Sequence, residues 1–199
     1  PFSCYLRIDR ISDELLSLLK YAGCYSVIMS IDSTSPKIRE TILGRKMPKD
    51  NSKVMEALRI VNRHGIHTFI NFMLAAPLST LQDDLDTIEW GRDATYLSYS
   101  TTVPTKGTEL YALCRKLGMP ECDIPLREAA ERSHLPFFSE KEKDIRYNIF
   151  LLGPMIARLP RFLVPLGMFL IMHTRPNRLY RKARDTYRQY MIENQIFMV

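Results

Sequence analysis

The stretch HGIHTFINFMLAAPLSTLQDDLDTIEW, residues 64–90, holds one complete unit of the architecture. Gly65 stops a helical period that runs through Val54, Ala57, Leu58 and Val61. HTFINFMLAAP then reads as a buried strand, because its apolar run is too short for a helix and ends at a proline. STLQDDLDTIEW follows with Leu81, Leu85 and Ile88 on one helical side. The same strand-then-helix order repeats outward in both directions. PFSCYLRID alternates like a strand, and the next helix is expected to bury Leu15, Leu16, Leu18, Leu19 and Ala22 before Gly23 ends it. YSVIMSID is a second apolar strand; in SPKIRETIL, Ser35 reads as N-cap and Pro36 as first helical residue. YLSYSTTV and TELYALCRKLG form the last unit, with Thr108 as the cap. Strands near residues 4, 28, 69 and 99, each followed by a helix, predict an α/β chain with a parallel sheet and right-handed crossovers. An open doubly wound sheet and part of a βα barrel both satisfy that order.

Either architecture puts functional residues at the carboxyl ends of strands and in the loops that follow. Those positions hold Arg7 and Asp9, Asp32 and Ser33, Asn71 through Pro77, and Pro104 through Thr108. The 199 residues, 46% apolar, are enough for a real core. The net charge of +6 is local: residues 1–144 carry 19 basic and 20 acidic side chains, residues 145–199 carry 9 and 2. Cys4, Cys24, Cys114 and Cys122 lie far apart, with no CxxC and no histidine at ligand spacing, so this chain is expected to hold no metal by itself. No secretory pattern opens the chain, and the expected location is the cytoplasm with free thiols. The abrupt start in strand-like sequence suggests an upstream part. After Gly118 a polar segment runs to about Asp144, followed by an apolar stretch broken by Pro154, Pro160 and Pro165 and a basic helix candidate, PNRLYRKARDTYRQYM. The longest uninterrupted apolar run, Phe162 to Met172, is too short to span a bilayer core of roughly 30 Å.

Four segments over residues 2–118 resemble radical S-adenosylmethionine (SAM) enzymes, and within them the branch often fused to an upstream cobalamin-binding domain. LRIDRISDELLSLLKYAGC is similar to that family's third strand with its Arg. SIDSTSPKIRETILGRKM is similar to "GIES…IR…LxR", HGIHTFINFMLAAPLST to "GI…xNxxxGxPxET", and VPTKGTEL to "xPYPGTxL". The resemblance implies strands 3 to 6 of a (β/α)6 barrel over residues 1–118, a connecting segment at 119–144, and a helical extension at 145–199. It implies SAM as cofactor, a 4Fe-4S cluster whose CxxxCxxC ligands lie outside this chain, cobalamin as a further candidate, and the upstream portion of the same protein as partner. The family's reductive cleavage of SAM gives a 5'-deoxyadenosyl radical. By motif position, Arg7 and Arg45 would face the methionyl carboxylate, Asp32 and Asn71 the ribose hydroxyls, and Ala75 the adenine. Ser30, Ala75 and Leu78 stand where the family usually has Gly, and Asp32 where it has Glu.

Each residue also has a plainer reading. Asp32 suits a turn before SPKIRE, and Arg7 suits a surface pair with Asp9 or Asp13. Arg45 and Lys46 suit solvent. Asn71, among Phe69, Ile70, Phe72 and Met73, needs a polar partner that protein backbone could supply. The tail offers two readings: a helical extension packed on the barrel, or a noncatalytic barrel docking on a membrane surface or a protein partner through its basic side chains. A nucleic-acid role is weaker, since a basic helix alone is nonspecific.

Overall fold

The computed structural model describes residues 1–45, 47–121 and 131–194, so the expectations for Lys46 and Cys122 lie outside the described residues. Four strands, β1 (Phe2–Tyr5), β2 (Cys24–Asp32), β3 (His67–Leu74) and β4 (Tyr96–Thr101), form one sheet with every neighbouring pair parallel. Their spatial order is the chain order, β1-β2-β3-β4. A doubly wound sheet reverses direction at a switch point; this one does not, so it is an arc of a βα barrel.

The period of two along each strand divides the residues between the faces. Val27, Met29, Ile31, Ile70, Phe72, Leu74, Leu97 and Tyr99 are buried. They form one core with Leu16 of α1 (Asp13–Tyr21), Val54, Leu58 and Val61 of α2 (Asn51–Arg63), and Ile88 of α3 (Leu81–Trp90). On the opposite, inner face the register aligns Ser30 with Asn71 and Asn71 with Ser98, a polar row across three strands. Gly23 and Gly65 end the first two helices at φ of +89° and +62°, a region open to glycine without steric penalty. The expected apolar side of α1 is narrower than the spacing implied. Leu16 is fully buried but Leu18 is 60% exposed, because two residues along a helix turn by about 200°.

The segment after β2 departs from the expected regular helix. It opens at Pro36 and widens into a π-turn over Ile38–Ile42, with the Leu43 N–H donating to the Ile38 carbonyl. Asp50 and Thr80 cap α2 and α3, Thr80 in a reciprocal arrangement with Asp83. Thr108 caps α4 (Glu109–Lys116) as expected, accepting from the Tyr111 N–H at 3.2 Å.

Three further helices close the chain: α5 (Glu140–Ile156), α6 (Val164–His173) and α7 (Arg178–Glu193). Pro154 does not break α5. It sits in the last turn, where a missing N–H removes one bond only. Gly153 lies so close to β4 that a Cβ there would meet the Tyr99 ring at 2.7 Å, and α5 also packs on α3. Tyr187 of α7 stacks on Tyr96 with centroids 6.2 Å apart. A cleft of 220 Å³ is lined by Phe69, Tyr96 and Ser98 of the sheet together with Phe150 of α5 and Arg188 of α7. The helices therefore pack against both faces of β4, Gly153 on Tyr99 and Tyr187 on Tyr96, while β1 pairs only with β2 among the described residues.

Candidate functional site

The carboxyl end of β2 is where the chain makes its sharpest turn. A bulge between Ser30 and Asp32 shifts the register, and Asp32 takes a left-handed conformation with φ of +67°. Asp is one of the few residues that tolerates this region. Its carboxylate is almost fully buried, at 1% exposure, with both oxygens engaged. Ser30 Oγ donates to Oδ1 at 2.8 Å, and Arg45 Nε donates to Oδ2 in a salt bridge. Arg45 itself is half exposed.

The loop between Asp32 and Arg45 is held from inside by Arg39, which sequence reading did not single out. Arg39 is 2% exposed and donates through Nη1 to the carbonyls of Ser33 (2.8 Å) and Thr34 (3.1 Å). Nη2 donates to the Pro48 carbonyl (3.3 Å) and Asn51 Oδ1 (2.8 Å). Its guanidinium also lies 5.8 Å from the Trp90 ring centroid. Burial pushes the Arg39 pKa down, and no carboxylate faces it among the described residues. A planar fork with several donors can serve four acceptors in this way; an ammonium cannot. Two carbonyls from one side of the loop and two acceptors from the other are thereby tied to one group.

A cleft of 380 Å³ opens beside Asp32, within the roughly 300–1,000 Å³ typical of small-molecule sites. Ser30, Ile28, Arg7, Arg45 and Met47 line it, with Tyr5 at the β1 side. The structure thus brings Arg7 and Arg45 to one cavity and sets Asp32 behind Ser30 and Arg45. Arg7 is engaged with Asp9 through two hydrogen bonds, Nε to Oδ1 at 2.9 Å and Nη2 to Oδ2 at 2.8 Å, which hold the Asp9 carboxyl below its usual range. Both side chains remain at the surface, where such a pair contributes little and a competing anion can displace it.

Asn71 is not in the cleft lining. It sits one strand over from Ser30 on the inner face and donates to Ser100 Oγ at a long 3.4 Å. Ala75 is farther away, fully buried at the end of β3 with φ of +58°, its N–H donating to Asp84 Oδ2 at 3.3 Å. Leu78 three residues on has φ of +65°. Both stand where the resemblance led glycine to be expected, and both hold a left-handed backbone, a region that costs residues with a Cβ about 1–2 kcal/mol. Leu78 is 58% exposed, so Leu78→Gly removes strain with little loss of packing. Urea titration is expected to show a stability gain of roughly 0.5–1 kcal/mol.

Beneath this loop lies a buried ion pair. Arg146 of α5 donates from Nε to Asp84 Oδ2 at 2.5 Å, and its guanidinium rests 4.0 Å from the Phe138 centroid. Both side chains are under 5% exposed. Burial pushes the Asp84 carboxyl up to about 6, against the opposing pull of Arg146. Sequence reading missed this pair because Asp84 belongs to an ordinary amphipathic helix and its partner lies 62 residues away.

The donor sets can be tested against the implied cofactors. Among the described residues no three His, Cys, Asp or Glu side chains come together to hold a metal ion. Cys4 and Cys24 are neighbours across β1 and β2, with sulfurs 3.9 Å apart and no disulfide, and Cys114 lies in another core. An iron-sulfur cluster therefore finds no cradle in these residues. A nucleoside with a carboxylate tail matches the lining of the cleft, with two arginines on one cavity and apolar Ile28 and Met47 beside them; the Asp32 carboxylate behind Ser30 and Arg45 would accept hydroxyls only after these partners move.

No family model matches the chain. In fold, it is similar to radical SAM enzymes. It superimposes on coproporphyrinogen III oxidase of Escherichia coli, a radical SAM enzyme, with a TM-score of 0.52 and 16% identity, over 82% of this chain and 32% of that one. On the cobalamin- and 4Fe-4S-bound radical SAM methyltransferase TsrM of Kitasatospora setae the TM-score is 0.53 at 15% identity, over 96% of this chain and 44% of that one. At such identities the likeness is one of fold. A curated relative, an uncharacterized methyltransferase of Pyrococcus horikoshii, is 27% identical over 115 residues, 56% of this chain. The chain spans 24% of that relative's length.

Proposed function

We propose that this chain is the SAM-holding arc of a radical SAM enzyme, with methyl transfer as the reaction class suggested by its relatives. The observation that carries the reading is the Asp32–Arg45 pair, set at the carboxyl end of β2 beside a cleft shared with β1. Asp32 accepts the vicinal hydroxyls of the ribose, with Asn71 as a second polar group on the neighbouring strand. Arg45, half exposed on a flexible stem, turns from Asp32 toward the carboxylate of the methionyl group, where guanidinium geometry is matched. Arg7 adds a second positive charge at the β1 side. Arg39 keeps the loop that carries Asp32 and Arg45 in one conformation, so that their separation is preset. With a 4Fe-4S cluster held by residues outside this chain, the reduced cluster would supply one electron to the sulfonium of bound SAM, whose C5'–S bond would break to methionine and a 5'-deoxyadenosyl radical. Cobalamin would carry a methyl group taken from a separate SAM.

A second reading, a noncatalytic barrel, is favoured by one feature: both Asp32 oxygens are already satisfied within the protein. Calorimetric titration with SAM separates the two. The first reading expects saturable binding that weakens roughly 10- to 100-fold in Asp32→Ala, the loss of hydrogen bonds to a charged acceptor. It also expects 5'-deoxyadenosine formation by the anaerobically reconstituted full-length protein. Absence of SAM binding by the wild-type chain would favour the second.

A further inference from the structure

We infer that α6 is an interfacial helix that lies on an anionic lipid surface. From Phe162 to Met172 the sequence has no charged residue, and a helix that is apolar all round is normally buried on every side. Here only one side is. Gly167 and Ile171 are buried, and a Cβ on Gly167 would meet Ile156 of α5 at 2.8 Å, so this contact fixes the rotational setting of the helix. The side held outward carries Phe162, Leu166 and Phe169, which are 79%, 59% and 56% exposed. Leu166 and Phe169, three residues apart, share one stripe of the helix, and Phe162 stands in the 3-10 turn just before it. His173 ends that stripe, its ring 4.7 Å from Phe169.

Charge decides what covers the stripe. Between residues 145 and 184 there are eight basic side chains and no acidic one. Arg161 at one end of α6 and Arg175 and Arg178 at the other are exposed, and none has an ion pair among the described residues. Glu140 and Asp144 share a cavity with His173 and Arg175 but are paired with Arg132 and Lys143, so the three arginines are the uncompensated charges of this face, and phosphatidylserine headgroups neutralise them. Ten residues of helix span about 15 Å, half of a bilayer core, and among the described residues no helix is long and apolar enough to cross a membrane. The arrangement is therefore one of lying in the headgroup region, with the aromatic and Leu side chains inserted and the arginines at headgroup level.

Cosedimentation of the full-length protein with vesicles tests this. Binding is expected to vesicles containing about one-third phosphatidylserine, to be weak on pure phosphatidylcholine, and to fall as salt is raised through the physiological range. Leu166→Glu with Phe169→Glu is expected to lower partitioning at least tenfold, and Arg175→Ala with Arg178→Ala roughly tenfold or more. These positions are exposed, and unchanged circular dichroism confirms the fold. Protein that stays in the supernatant at low salt, or that binds equally with the two Glu substitutions, overturns the inference. So does a dimer that these substitutions dissociate while vesicle binding is absent, which would assign the face to a second copy.

Discussion

Arg39→Ala is expected to lower the stability of the chain by roughly 3–5 kcal/mol and, if the chain holds SAM as proposed, to abolish that binding with it. Removing the guanidinium leaves the carbonyls of Ser33 and Pro48 and Asn51 Oδ1 without this donor, while the Thr34 carbonyl keeps only its bond from Asn51 Nδ2. Each buried acceptor left unmade costs about 1–3 kcal/mol, and water entering the gap recovers part of the sum. The loop then loses the group that ties Ser33 and Thr34 to Pro48 and Asn51, keeping the Asn51–Thr34 bond alone, and Asp32 and Arg45 lose their fixed separation. Arg39→Lys keeps the charge but not the fork, and recovers less than half of the loss. A urea midpoint within the range of ordinary surface substitutions would show that Arg39 does not organise this loop.

The second large effect lies in the Asp84–Arg146 pair. Arg146→Met is expected to cost roughly 3–5 kcal/mol at neutral pH, because it strands a buried carboxylate. The direction of its pH dependence follows from the raised pKa of Asp84 in the folded protein, about 6 against an ordinary 3.8. A carboxyl that holds its proton more tightly when folded stabilises the protein at pH values below its unfolded pKa, and that contribution is lost as pH rises through 6. With Arg146 gone, only the Ala75 N–H still opposes burial, and the pKa rises further. The deficit of Arg146→Met is therefore expected to be small near pH 4 and to widen toward pH 8, as read from denaturant midpoints across that range. Asp84→Asn with Arg146→Met removes both charges and restores much of the stability. A deficit that is flat with pH, or a double variant no better than the single, would show that the pair is not coupled in this way.

The four strand-helix units were legible because their apolar periods switch cleanly between two and 3.6, and Val54, Ala57, Leu58 and Val61 are all buried as their spacing demands. The choice between an open sheet and a barrel arc was not legible in that pattern, since both have the same local signals. It depends on the spatial order of strands and rested on motif resemblance. At the site, Asp32 and Arg45 were picked out one by one, but their direct bond was not, because 13 residues and a bulge separate them. Arg39 escaped notice for a different reason. An arginine inside SPKIRE reads as the solvent side of a short helix, and only the wider π-turn and the returning Pro48–Asn51 segment make it an interior group. Ala75 and Leu78 gave the opposite lesson: their mismatch with glycine was visible in the letters, and the backbone keeps the glycine conformation regardless.

The unequal ends of the sheet give the molecule a polarity of assembly. With helices banked against β4 and only β2 beside β1 among the described residues, the β1 side is the open end of the arc, like a fence with one post already set against a wall. A strand that completes it, from whatever stretch of polypeptide, has one landing place and enters parallel to its neighbours if it continues the barrel. Because the Arg7 and Arg45 cleft opens at that same margin, the act of adding the strand would also build the remaining wall of the cavity, so that closure of the fold and completion of the site become one event.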